Sequence, residues 1–294
     1  MSSRVRSARL QIEALEDRCT PSAVLQTLPD HTPDPPHGGH ALTHVGQHSH
    51  ERNGNVISAF ARHAHGVRVI WGESTIVDGA RVVTWALVSP RDQTILAVGV
   101  TFSLKMAKNM PEDGSGPAGA FASLEFPALV QETTFFNHLE IQPEPHGHVS
   151  PPGSNGTVYS VPHFDFHFYS IPEEEVLSIP AKNPPLPPAY EIPAGYLPAG
   201  PSLAQMGRHS SPRSVLSMDK LTAAMVIGYL PDGSRMHFLE PMVSQETLLN
   251  KQDFTLDVPR LTTFGREMLY PTQFEATFQG NSWSFVFSGF VAVQ

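Results

Sequence analysis

Two short runs concentrate the side chains able to bind a metal or carry a proton: His146-Gly147-His148, and His163-Phe164-Asp165-Phe166-His167-Phe168-Tyr169. The second alternates polar with aromatic residues. Successive side chains of a β-strand point to opposite faces, so a strand here puts His163, Asp165 and His167 on one face and Phe164, Phe166 and Phe168 on the other. The aromatic face reads as core. Imidazole and carboxylate are donors that zinc and non-haem iron accept, so the polar face reads as part of a divalent-metal site. The rival reading is a buried hydrogen-bond network that fixes strand register.

Strand geometry limits how these residues can act together. At a rise of about 3.3 Å per residue, Cα atoms two residues apart are separated by about 6.6 Å and those four apart by about 13 Å. Metal–nitrogen and metal–oxygen bonds are about 2.0–2.2 Å, and an imidazole reaches an ion about 6 Å from its Cα. His163 and His167 can therefore barely share one ion on a straight strand, whereas either can share it with Asp165; joining all three needs a bulge. The remaining donors must come from elsewhere, and His146, His148, His209, His237 and Glu240 are the candidates. The expected metal set is His146, His148, His163, Asp165, His167, His209 and Glu240, holding zinc or iron. An enzyme of cupin-like type is the alternative, with His163, His167, His209 and Glu240 as ligands and Asp165 orienting a ligand or acting as base. Cupins place a Glu shortly after their His-x-His, yet no Glu follows His148 within ten residues. A structural, oligomer-forming stress protein without metal is the third reading.

The elements that must position these groups are strands. The 294 residues include 28 prolines and 22 glycines with only 16% charged residues, a composition that disfavours long helices. Apolar, β-branched runs bounded by turn residues occur at 67–71, 80–88 and 94–102, and further strands are expected at 134–141 and 159–169. Short helices are expected at 103–109 and 172–179, the latter with Glu173, Glu174 and Glu175 in its first turn. An Asp232-Gly233 turn joins strands at 221–229 and 235–242, and Gly280-Asn281 joins 273–278 to 282–293. The expected fold is mainly β, an antiparallel barrel or sandwich with a few short helices and Pro-rich loops. It covers residues 56–294 in two halves joined by the Pro-rich segment 180–201.

Upstream, residues 24–55 mix Pro, Gly and His without apolar periodicity and read as a disordered linker. A formal charge of −9 argues against nucleic acid as a partner. Cys19 is the single cysteine, so any metal is held by His, Asp or Glu rather than a thiolate cluster. No apolar run reaches transmembrane length, and neither a P-loop, a Rossmann fingerprint nor a nucleophile elbow is present. No catalytic residue is assigned; a homo-oligomer is allowed for, and the small-molecule ligand is left open.

Two resemblances follow from particular residues. The stretch from Arg9 through Leu15-Glu16-Asp17-Arg18 to Ala23 resembles the N-terminal LExR-type segment of planctomycete surface proteins, which implies a sorting role for residues 1–23 and an exported or cell-surface location, with the cytoplasm as the alternative. Pro145-His146-Gly147-His148, the run Tyr159 to Tyr169, Met206-Gly207-Arg208-His209, Gly228-Tyr229 and Glu240-Pro241-Met242 occur in an order that resembles the Thermus sigma-E-regulated hypothetical protein family, with its TTHB-like domain of unknown function. That resemblance spans about residues 56–294. It implies a β-rich, oligomer-capable domain and no known activity. Ser210 stands where the family has an aromatic, and His237 where it has an apolar or aromatic residue.

Overall fold

The alternating run forms a strand, but a shorter one than 159–169: it begins at His163, directly after Pro162, which has no N–H to give to a ladder. The computed structural model describes residues 67–77, 79–110, 122–187 and 190–294; the N-terminal segment and the Pro/His-rich linker lie outside the described residues. In chain order the elements are β1 (Arg68–Val77), β2 (Ala80–Val88), β3 (Ile95–Ser103), α1 (Lys105–Lys108), β4 (Ala122–Glu125), α2 (Ala128–Thr133), β5 (His138–Glu144), β6 (His163–Tyr169) and α3 (Glu173–Leu177). Then come β7 (Ser202–Leu203), β8 (Gly207–Ser210), a 3-10 turn at Arg213–Ser217, β9 (Ala223–Tyr229), β10 (Met236–Ser244), α4 (Gln245–Asn250), β11 (Phe254–Asp257), β12 (Met268–Tyr270), β13 (Gln273–Gln279), β14 (Ser282–Ser288) and β15 (Val291–Val293).

The mainly β expectation holds, and the arrangement is a sandwich. One antiparallel sheet has the order β1-β2-β3-β14-β13-β11 and the other β4-β5-β6-β10-β9-β8-β7, with β12 and β15 as a small separate pair. Both large sheets draw strands from both sides of segment 180–201, and the described residues belong to one unit.

Between the sheets lies the aromatic face read from the sequence. Phe166 of β6 packs against Phe102 of β3 at 5.1 Å and Phe285 of β14 at 4.7 Å, while Phe168 meets Phe287 at 4.9 Å. All three β6 phenylalanines are fully buried. Each contributes on the order of 1.5–3 kcal/mol by leaving water.

The opposite face of the second sheet is polar, yet it too is covered. One lid packs Val158, Tyr159, Val215 and Leu221 onto Ala224, Val226 and Met242. A second packs Ile171, Val176 and Ile179 onto Tyr169 and Phe238. A polar stratum is thus enclosed between a sheet and two apolar lids, with edges toward solvent at His148 and His209. Enclosure makes each buried polar atom there costly unless it finds a partner.

Candidate metal centre

Strand register builds the site. On the covered face, His138, Glu140, Gln142 and Glu144 of β5 stand opposite Tyr169, His167, Asp165 and His163 of β6 respectively. On the other flank of β6, the ladder to β10 pairs Leu239 with Phe168 and Met242 with Asp165. It is interrupted at Glu240-Pro241, where the proline supplies no N–H. Beyond β10, Gly228 of β9 pairs with both Phe238 and His209 of β8. These three therefore share one face with Glu240. A Cβ on Gly228 would fall inside the Phe238 ring, so the glycine is what lets that ring lie flat over β9. From there Phe238 packs 5.0 Å from the rings of both His167 and His209.

The loop between β5 and β6 delivers His148. Gly147 has φ of +63°, and a side chain there would strike the backbone at Tyr159 and Ser160. The Gly147 N–H donates to the Glu144 carbonyl at 3.1 Å, and that of His148 to the Tyr159 carbonyl at 3.0 Å. The loop is thereby folded back over the sheet.

Six expected donors converge, in two groups of three rather than one of six. His148, His163 and Asp165 form the first and His167, His209 and Glu240 the second; within each, the ligand atoms lie within 4.8 Å of one another. In the first, Asp165 Oδ1 is 3.4 Å from His163 Nε2 and Oδ2 is 3.7 Å from His148 Nε2. In the second, Glu240 Oε1 is 3.7 Å from His167 Nε2 and Oε2 is 3.8 Å from His209 Nε2. On strand rise alone His163 and His167 could barely share an ion, and they fall in different groups, so the four-ligand set His163, His167, His209 and Glu240 is not assembled around one position. His146 is exposed and belongs to neither group. His237, at a register shift in β10, also belongs to neither; its Nε2 donates to the Met206 carbonyl at 2.8 Å.

Separations of 3.4–3.8 Å are long for hydrogen bonds, whose usual range is about 2.7–3.2 Å. Two donors on one tetrahedral ion with bonds of about 2.0–2.2 Å stand roughly 3.3–3.6 Å apart. The buried atoms His163 Nε2, Asp165 Oδ1, His167 Nε2 and Glu240 Oε2 have no hydrogen-bond partner among the described residues. His163 Nδ1 meanwhile donates to the Val161 carbonyl at 2.7 Å and His148 Nδ1 to that of Val149 at 3.2 Å, which leaves the Nε2 lone pairs turned to the site.

Burial governs the protonation states. It lowers the pKa of His163 and His167, and takes that of His209 to about 3, so these rings are neutral donors at neutral pH. Burial also raises the pKa of Glu240 well above the usual carboxylate value, reinforced by the charges of Asp165 and Glu144. For Asp165 burial acts upward as well, but His163, His148 and His167 around it prevail and lower its pKa. Burial opposes protonation of His148, and the adjacent Asp165 outweighs it, raising that pKa.

Several residues of the stratum were not singled out in the sequence. Glu140, across from His167, is buried and lies 3.6 Å from His138 Nε2. Tyr169 stacks between His138 at 4.9 Å and His167 at 5.6 Å. Tyr159 roofs the first group, 5.4 Å from the His148 ring, with its hydroxyl donating to Ser211 Oγ at 3.1 Å. The signal for the β5 residues was available: His138, Glu140, Gln142 and Glu144 alternate with Leu139, Ile141 and Pro143 as the β6 residues do. No helix among the described residues is long and apolar enough to cross a membrane. No family model, curated protein or solved structure matches the chain.

Proposed function

We propose that this protein binds a divalent transition metal, zinc or iron(II), through His148, His163, Asp165, His167, His209 and Glu240, and that it does so as an exported or surface-associated binding protein. The observation that carries the reading is the convergence of two His/carboxylate groups in which the buried atoms His163 Nε2, Asp165 Oδ1, His167 Nε2 and Glu240 Oε2 have no hydrogen-bond partner among the described residues, with nitrogen–oxygen separations of 3.4–3.8 Å that are at, or up to about 0.2 Å beyond, the spacing of two ligands on one ion. Two histidines and one carboxylate form a donor set that both zinc and non-haem iron accept. The location rests on the LExR-type segment at residues 9–23 alone.

Metal analysis of the purified full-length protein tests the binding. The His-rich stretch 31–50 is a second, weaker sink, so a competing chelator should strip it first. Tightly held zinc or iron in the wild type that falls in a His167→Ala, Glu240→Gln double variant is the expected result. Less than about a tenth of an equivalent in the wild type would refute the reading.

A metal-dependent enzyme is the second reading, favoured by the count of three protein donors in each group, since catalytic ions keep a position open for water or substrate. In it Asp165 or Glu240 orients the ligand bound at that position. Spectral change of the cobalt-substituted protein on adding azide supports it; an unchanged spectrum favours a purely binding role.

A further inference from the structure

We propose that the stratum is a two-ion centre, one ion held by His148, His163 and Asp165 and the other by His167, His209 and Glu240. The inference rests on the metal-binding reading and adds to it the number and independence of the ions. Asp165 and His167 are two positions apart on β6, with Cα atoms about 6.6 Å apart. Each group then takes its other donors in a different direction. The first reaches along β6 and up into the loop at His148, and the second reaches across β10 to β8. Each also has its own edge toward solvent, because the side chains of His148 and His209 are 39% and 24% exposed while those of the other four are at most 7%.

Charge supplies an independent argument. Glu140, Asp165 and Glu240 are buried with oxygens 3.4–3.7 Å from histidine nitrogens, and Glu144 is half-buried opposite His163. No lysine or arginine forms an ion pair with Glu140, Asp165 or Glu240 among the described residues. Carboxylates gathered without a lysine or arginine partner are donors that metal cations, rather than the protein's own side chains, can neutralise. Each group also holds unpartnered buried atoms of its own, His163 Nε2 and Asp165 Oδ1 in the first and His167 Nε2 and Glu240 Oε2 in the second.

The test is a count of ions in the full-length protein loaded with Zn²⁺ and then with Co²⁺, after weakly held metal has been removed by a competing chelator. The wild type should hold two ions per chain. His148→Ala and His209→Ala should each hold one, the survivor itself reporting an intact fold, and the Co²⁺ absorption spectra of the two single variants should add up to that of the wild type. His148→Gln and Glu240→Gln provide a second pair should either alanine variant fail to fold. One ion in the wild type, lost in both single variants, overturns the two-ion centre and leaves metal binding standing. No tightly held ion in the wild type defeats the binding reading itself.

Discussion

Glu240 carries the sharpest conflict in the molecule, a buried carboxylate beside two histidines that burial keeps neutral. Its raised pKa means that the folded, metal-free protein prefers it protonated. That contribution to stability is complete below the unfolded carboxylate value of about 4.3 and is lost as pH rises toward the folded pKa. The histidines run the other way. With folded pKa values depressed below about 6.5, they contribute fully above that pH, and their contribution is lost as pH falls, for His209 and His237 down to about 3. Melting temperatures of the metal-free protein should therefore decline from pH 6.5 to pH 4, the four depressed histidines outweighing Glu240 and Glu144, whose pKa values are raised; a flat profile would contradict the buried assignment. Glu240→Gln should raise the melting temperature of the metal-free protein at pH 8 while removing the ion at His167 and His209. A metal-free variant no more stable than the wild type at that pH would show that the carboxylate has found another partner.

At the level of elements, the strand β6 was legible because its period-2 alternation leaves no other face for three phenylalanines. The separation of His163 from His167 also followed from rise alone. Which groups join them did not follow, because β8 and β10 reach the site through tertiary register that no local pattern encodes. The strand expected at 134–141 lies at His138–Glu144, and the one expected at 282–293 is two strands. Phe135 and Phe136 turn into the core ahead of β5, and Gly289, at φ +66°, breaks β14 from β15. Short strands such as β4, β7 and β12 carry too few residues to show any period. Gly228 is the element-level residue with the largest expected effect. Gly228→Ala drives a methyl group into a Phe238 ring already held between His167, His209 and Tyr169. It should destabilise the protein by about 1–3 kcal/mol and weaken metal at the second group by about 10–100-fold, measured by denaturant unfolding and chelator competition. Unchanged affinity would mean that Phe238 does not hold those two rings in place.

For the whole molecule, the ions would join parts of the chain that nothing covalent connects, and binding to the folded state alone must raise its stability. At free metal one hundred times the dissociation constant, a single site adds about 2.7 kcal/mol, or roughly 5–11 °C for a domain of this size. Calorimetry with and without a chelator should show that gap, and its absence would exclude tight binding specific to the fold. A different consequence comes from the place of β14. It lies between β3 and β13, pairing Phe102 with Trp283 and Val98 with Phe287, residues that leave the ribosome about 180 positions apart. Until Ser282–Ser288 have been synthesised, β3 has no neighbour on that side and the aromatic layer of the second sheet has half its counterpart missing. Such late closure makes folding slow and the growing chain prone to wrong pairings. Until that strand arrives, Phe166 has only Phe102 of its two partners across the sandwich and Phe168 lacks Phe287.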